Sequence, residues 1–500
     1  MPTDYDLVVI GGGAAGLGAA RAGAAAGGRT LLVSEDEIGG ECTFTGCVPS
    51  KTLIEAAACG ASFPDAMAAL RHAVTTIAAT ETAEVLGREG IEVLRGRAVF
   101  TSPRDAKAGA RMIRARGFVI ATGSRPAIPP VPGLAEADYL TNETIFGLDE
   151  LPGRLAVLGG GAVGCELAQA FARLGSQVSL IEAASWLLPA ADPAVSHLIE
   201  EVFQAEGISV RTGMAAASVK HAARSVTLIL ASREEITVDR LLVATGRQPA
   251  PSGLGLAEAG VRVDERGCIV TDRHLATTAR GIYAAGDVTG RMPFTHAAFA
   301  MGRVAARNAL RRRRSPAAVF DATAIPWVVF TDPEVAQVGL SEPEAATSHA
   351  GARVAWLPMS EADRAITAGR TEGFIKIVAG RRRVLRNTGG GRVIGATIVA
   401  ARAGEMIHEI ALAMRTSMFT GRLAQTVHAY PTWSLAIQQT AAQFFGRRGG
   451  RAARAAQRAP PGAPELGWAR TNRLPSHDDP PALREAAPPR IAVTRHRGPR

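Results

Sequence analysis

The chain has 500 residues, room for about three domains, and its 47% apolar, 20% charged and 5% aromatic content with 54 Gly describes an Ala/Gly-rich globular protein, which excludes disorder throughout. No uncharged apolar run approaches the about 20 residues of a membrane span, and Leu7 to Ile10 opens straight into a glycine turn with no basic residue ahead of it, so neither a transmembrane helix nor a signal peptide is expected. The net charge of +10 invites a nucleic-acid reading, but +8 of it falls in residues 447–500, where 12 Arg and no Lys stand against 4 acids; the body is nearly neutral, and no nucleic-acid partner is expected.

In chain order, Asp6 to Ile10 predicts a strand, Gly11, Gly13 and Gly16 a turn into an Ala-rich helix, and Thr30 to Val33 a second strand followed by Glu35. The same βαβ pattern returns at Leu155 to Leu158, Gly159, Gly161 and Gly164, a helix Cys165 to Leu174, and a strand Gln177 to Ile181 followed by Glu182. In each G-x-G-x-x-G the glycines permit a tight turn, a close backbone approach to a pyrophosphate, and packing of helix on strand. The helix N-terminus offers free N–H groups to phosphates, and the acid accepts hydrogen bonds from a ribose diol. One glycine pattern alone is weak; two copies, each with its acid in strand-helix-strand context, point to two dinucleotides. Phe118 to Arg125 and Leu241 to Arg247 both end an apolar strand in Ala-Thr-Gly (Thr122, Gly123 and Ser124; Gly246), which brings the chain back beside each nucleotide. Gly281 to Thr289 ends a strand at Gly286 and Asp287, where a carboxylate can meet a polyol or be an ordinary turn aspartate.

Cys42 and Cys47 lie between the repeats, in Gly39-Gly-Glu-Cys-Thr-Phe-Thr-Gly-Cys-Val-Pro-Ser-Lys51. Positions five apart in a regular helix have Cα atoms about 8 to 9 Å apart, beyond the roughly 7 Å limit for a disulfide, so the pair can close only on a distorted turn. Gly46 and Pro49 provide that break, and a strained bridge is a reducible one. A metal site would need further ligands at zinc spacing, which are missing, and five scattered cysteines suggest a reducing cytosol in which a passive disulfide is disfavoured. Cys59, Cys165 and Cys268 read as small buried hydrophobes.

On the Gly-Gly-x-Cys-x4-Cys-x-Pro-Ser-Lys segment, both glycine fingerprints and Ala284-Ala-Gly-Asp-Val288, residues 4 to 445 resemble the class I pyridine nucleotide-disulfide oxidoreductases, the flavoenzymes that include dihydrolipoamide dehydrogenase, glutathione reductase and mercuric reductase. The resemblance implies an α/β fold with two Rossmann-like domains and a C-terminal α+β dimerisation domain: FAD-binding 1–150 and 273–318, NAD(P)-binding 151–272, interface 322–445, with a disordered basic tail 447–500. It implies that Gly11, Gly13, Gly16, Glu35, Thr122, Gly123, Ser124, Asp287 and the Thr295 backbone hold FAD, with Lys51 near the flavin N5 and paired to Glu166. It implies that Gly159, Gly161, Gly164, Glu182 and Gly246 serve the nicotinamide cofactor. Glu182, with no Arg from Ala183 to Ala190, favours NADH over NADPH. Cys47 is then the thiol against the flavin and Cys42 the interchange thiol. Hydride passes from NADH to FAD, the Cys42/Cys47 disulfide, and an acceptor: a small-molecule or protein disulfide, a quinone or a metal ion. The expected setting is a cytoplasmic homodimer.

The segment His428-Ala-Tyr430-Pro-Thr-Trp-Ser-Leu435 departs from the family's His-x-His-Pro-Thr and following glutamate. Tyr430 stands at the base position, where a phenol is protonated at neutral pH, and His428 is either its substitute or a structural interface histidine. The chain also has no Cys after Cys268, and an N-terminal metal-binding domain of the kind common in mercuric reductases is not expected. Two other readings stay open: a diaphorase, NADH oxidase or quinone or metal-ion reductase with an idle dithiol, and a non-catalytic binding protein acting through its basic tail. Met406 to Met414 predicts an amphipathic helix packed in the core or at an interface, and Arg311 to Arg314 and Arg381 to Arg383 predict solvated loops.

Overall fold

The computed structural model describes residues 3–222, 225–312, 315–381 and 387–458, and beyond them only the backbone pairing of 465–466 with 469–470. The first sheet is ordered Ile91–Arg95, Thr30–Ser34, Tyr5–Ile10, Arg111–Ile120, then Asp105–Ala108 and Ala98–Ser102 in antiparallel register. Ile282–Ala284 adds to Arg111–Ile120 in parallel, with Ile282 beside Phe118, so the chain returns to the first sheet after passing through the second repeat. Leu7, Val8 and Val9 are fully buried, as strands covered on both faces must be. The helices Ala14–Ala25 and Thr295–Ala309 pack on one face almost backbone to backbone. A Cβ on Gly302 would lie 2.0 Å from the Ala15 carbonyl oxygen, which is why the seam consists of Gly and Ala.

The second sheet is parallel, ordered Ser209–Arg211, Gln177–Ile181, Arg154–Leu158, Arg240–Val243 and Tyr139–Leu140. Its last strand falls within 1–150, the span that the sequence assigns to the first domain; Leu140 packs with the second sheet's core and not with the first. A two-stranded ribbon, Ser124–Pro126 against Arg247–Pro249, joins the two Ala-Thr-Gly segments. The third sheet is antiparallel, Trp327–Val329, Glu334–Gly339, Arg392–Ala400, Phe374–Gly380, Arg353–Pro358 and Arg454–Ala455. The helix Ala403–Arg415 covers it, with Met406, Ile407, Ile410, Ala413 and Met414 buried, as the periodicity of that run predicts.

Residues 447–458 correct the expectation of a disordered tail from 447. Arg454–Ala455 pairs with Arg353 and Val354, Ala453 N–H donates to Gln443 O at 3.0 Å, and Arg451 lies over the Trp356 ring and pairs with Glu361. The physical reason is a buried charge cluster invisible to composition. Lys376 Nζ, 6% exposed, sits 3.0 Å from Asp192 and 3.3 Å from Glu342, and the Arg454 guanidinium completes the cluster on Glu342. Burial pushes the Glu342 carboxyl up, but Lys376 and Arg454 together hold it below its ordinary value. Apart from the pairing of 465–466 with 469–470, the rest of the tail lies outside the described residues, as do Arg313, Arg314, Arg382 and Arg383; Arg311, Arg312 and Arg381 are exposed. Among the described residues no helix is long and apolar enough to cross a membrane.

A chain ending at Gly446 should be less stable than one ending at Arg458 by about 3 to 5 kcal/mol, the cost of breaking a buried ion pair, measured by denaturant unfolding.

Candidate active site

The two fingerprints fold alike. Gly13 and Gly161 cap their helices at φ −78°, ψ −170° and φ −76°, ψ −172°. Gly11 and Gly159 adopt φ +111° and +115°, and a Cβ there would lie 2.3 and 2.4 Å from the carbonyl oxygens of Ala121 and Ala244. A Cβ on Gly16 or Gly164 would lie 1.8 Å from the carbonyl oxygen of Gly11 or Gly159. Gly161 has open space where its side chain would be, and the nearest atom to a Cβ on Gly13 is 4.0 Å away, leaving room for a phosphate.

The acids differ. Glu182 is fixed by backbone donors, Gly160 N at 2.5 Å and Ala184 N at 2.6 Å, whereas Glu35 is exposed with Arg97 Nη1 at 3.9 Å. In the first Ala-Thr-Gly segment, Thr122 Oγ1 is buried without a hydrogen-bond partner among the described residues, and Gly123 has φ +70°. Ser124 Oγ donates to Asp287 Oδ2 at 2.6 Å. An orphaned hydroxyl, a polar run ending in a carboxylate and a glycine turn with space beside it fit a dinucleotide carrying a polyol. Gly246, at φ +138° with nothing within 4 Å of its would-be Cβ, leaves similar space beside the second repeat.

Cys42 lies in the one-turn helix Gly40–Phe44 and Cys47 is the first residue of Cys47–Ala58, the chain breaking between them at Gly46. The pair therefore sits on a distorted turn, as the spacing requires, with both cysteines free and partly buried. Cys165 and Cys268 are buried, but Cys59 is not the buried hydrophobe expected: it caps the end of the Cys47–Ala58 helix and is exposed. Thr295, first residue of Thr295–Ala309, places Oγ1 3.4 Å from Cys47 Sγ and 3.3 Å from Cys42 Sγ. The sequence reading assigned only this residue's backbone a role; the hydroxyl is what meets the sulfurs. Two helix N-termini thus converge on the pair, an environment that stabilises a thiolate. The hydrogen bond from the Cys42 thiol, with help from the Lys51 charge and Thr295, brings Cys47 down to about 6 from an ordinary value of 9.0, against the opposing effect of burial. The same bond, together with burial and the cost of a second adjacent anion, pushes Cys42 up.

Lys51, one turn beyond Cys47, holds Glu166 Oε2 at 2.7 Å, and Glu166 Oε1 accepts from Phe330 N–H at 2.8 Å. The Lys51 ammonium also lies 4.7 Å from the Phe330 ring centroid. Glu41 and Arg247 form an ion pair that sequence reasoning missed: each residue flanks a recognisable motif, but nothing local reveals that they meet.

The C-terminal candidates stand apart from the sulfurs within one chain. Tyr430 is 72% exposed, and its hydrogen bond to Asp363 raises its phenol above the ordinary value, so it is no base at neutral pH. Both ring nitrogens of His428 are occupied, Nδ1 by Thr426 O at 2.9 Å and Nε2 by Glu409 at 3.1 Å, which favours its structural reading over its use as a substitute base. Val427 is 92% exposed and Leu412 60% exposed, so like Tyr430 they present large apolar side chains to solvent within one chain.

A family model described as pyridine nucleotide-disulphide oxidoreductase matches residues 5–302, and one described as its dimerisation domain matches residues 325–441. The chain is 38% identical to a dihydrolipoyl dehydrogenase of Thermus scotoductus over 87% of its own length and 96% of the relative's. It is 37% identical to a mercuric reductase of Acidithiobacillus ferrooxidans over 89% and 83%. The solved Cu(II) complex of the HOCl-induced flavoprotein disulfide reductase RclA of Escherichia coli aligns with a TM-score of 0.79 at 29% identity, covering 88% of this chain and 99% of that one. The chain belongs to the pyridine nucleotide-disulfide oxidoreductases. It is a flavin-dependent NAD(P)H:disulfide oxidoreductase using FAD and a pyridine nucleotide, and it carries the family's dimerisation domain.

Replacing Thr295 with Val should raise the apparent pKa of the Cys47 thiolate by about one unit through loss of one hydrogen bond to an anion, followed by ultraviolet thiolate absorbance of the anaerobically reduced protein.

Proposed function

We propose that the protein is a cytoplasmic NADH-dependent reductase in which an electron pair reaches the Cys42/Cys47 disulfide and leaves through Cys42 to an external acceptor, a disulfide, a quinone or a thiophilic metal ion. The observation that carries this reading is the Thr295 hydroxyl within 3.4 Å of both sulfurs, at the meeting of two helix N-termini. Gly11, Gly13, Gly16, Glu35, Thr122, Gly123, Ser124 and Asp287 would hold the FAD. Once bound, it supplies the ability to take a hydride from the nicotinamide and pass the electron pair to sulfur.

The chain's own residues then manage charge and protons. Cleaving the disulfide with two electrons and one proton leaves the Cys47 thiolate and the Cys42 thiol. Thr295 Oγ–H and the Lys51 ammonium stabilise the thiolate, and Glu166 keeps Lys51 aimed at it. With a disulfide acceptor, the Cys42 sulfur displaces one thiolate to form a mixed disulfide, and Cys47 attacks Cys42 to release the second thiol and restore the internal bond. The Cys42 proton has to leave for that attack. Tyr430 and His428 are poorly equipped to take it, which supports an acceptor such as a soft metal ion, whose binding itself displaces the thiol proton.

NADH is favoured over NADPH because Glu182 is pinned at the strand end and would repel a 2′-phosphate. Glu182→Ala should lower the ratio of kcat/KM for NADH to that for NADPH by at least about tenfold, on the scale of one charged hydrogen bond, as read from initial rates with each cofactor.

Anaerobic titration with NADH should yield two new free thiols for the first electron pair, counted after denaturation. Bleaching of the flavin with no thiols gained would replace this reading with that of a diaphorase whose dithiol is idle.

A further inference from the structure

Glu41 immediately precedes Cys42 in a helix of only five residues, too short to hold its own geometry. Its carboxylate is gripped from outside. The Arg247 guanidinium forks onto both oxygens, with Nη1 2.5 Å from Oε1 and Nη2 on Oε2, and Asn142 Nδ2 donates to Oε1 at 2.6 Å. Asn142 Nδ2 also reaches Thr45 O at 3.1 Å, just past the other end of the same turn. Arg247 is itself held, donating through Nε to Ser124 Oγ at 2.8 Å and through Nη2 to Ser124 O at 3.0 Å, with Asp287 3.7 Å away. It begins the strand Arg247–Pro249 of the ribbon that joins the two dinucleotide-binding halves.

We infer that Arg247 acts on Cys42 through Glu41: by neutralising that carboxylate it keeps an uncompensated charge from standing beside the interchange thiol. The inference rests on the dithiol reading proposed above. The chemistry is specific to arginine, since only a planar fork meets both carboxylate oxygens and a neighbouring serine at once. Burial already lifts the Glu41 carboxyl above its ordinary value with Arg247 in place; without the guanidinium, the carboxylate that is ionised at the mildly alkaline pH of the test has no counter-charge and opposes a second anion on the adjacent Cys42, so the thiol should attack more slowly. The same unpaired charge opposes the Cys47 thiolate and so disfavours the reduced pair.

The test uses flavin-loaded protein reduced anaerobically and treated with iodoacetamide, a neutral probe, at mildly alkaline pH. Peptide mapping follows the alkylation of Cys42, with the exposed Cys59 as internal reference. Four proteins are compared: wild type, Arg247→Gln, Glu41→Gln and the double variant. Arg247→Gln should lower the Cys42:Cys59 rate ratio about tenfold, the scale of one uncompensated charge in a medium of intermediate polarity. It should also shift the dithiol:disulfide equilibrium about tenfold toward the disulfide, equivalent to about 30 mV. Glu41→Gln alone, and the double variant, should stay within about threefold of wild type, because the carboxylate through which Arg247 acts is gone.

An unchanged ratio in Arg247→Gln, or a double variant as slow as the single one, would overturn the inference. Should Arg247→Gln fail to retain flavin, retention in the double variant supports the inference, and loss in both overturns it by showing that Arg247 acts other than through Glu41. Failure of the underlying reading is seen separately, as wild-type protein that gains no thiols on reduction.

Discussion

The structure turns on the contact between Lys51 and Glu166. The lysine comes from the helix that begins at Cys47, the glutamate from the helix that begins at the second glycine turn, and the second carboxylate oxygen is taken by the backbone of Phe330 at the head of the interface domain. All three parts of the molecule therefore meet at one carboxylate, 5% exposed, whose partner Lys51 lies one helical turn beyond Cys47. A charge pair this sheltered is costly to open, and its energetic role lies less in net stability than in permitting one relative placement of the parts.

Around this point the fold solves one problem twice and then breaks the symmetry. Both glycine turns adopt the same backbone and leave the same gap for phosphates, yet only the second acid is pinned to its turn. The first repeat is completed by a returning strand that leads into Asp287 and, further on, Thr295, whereas the strand added to the second, Tyr139–Leu140, comes from before the repeat. The redox sulfurs hang from the repeat whose site is completed from a distance, so hydride acceptance and thiol chemistry share a wall built from segments far apart in the chain.

Much of this was legible in the sequence because it depends on local rules. Glycines at positive φ, acids at strand ends, and a cysteine pair interrupted by Gly46 all express constraints that act within a few residues. The amphipathic run from Met406 to Met414 is readable for the same reason. What stayed hidden was long-range pairing: Arg247 with Glu41, Arg454 with Glu342, and the Thr295 hydroxyl between two sulfurs. The tail was misjudged because its composition is that of a disordered segment, while its folding from 447 to 458 depends on carboxylates placed a hundred or so residues earlier. The C-terminal histidine was ambiguous for a related reason, since nothing in its motif reveals that Glu409 is waiting for it.

The pairing of Arg454–Ala455 with Arg353 and Val354 also has a temporal side. Roughly a hundred residues separate the two strands, so as the chain leaves the ribosome the strand Arg353–Pro358 presents an open edge until that further stretch has been translated. An unpaired edge of this kind is a template for wrong partners, and a second copy offering the same edge would be the nearest. Late arrival of the closing strand makes the rate of synthesis, and not only the final sequence, a determinant of how much of this protein reaches its native assembly.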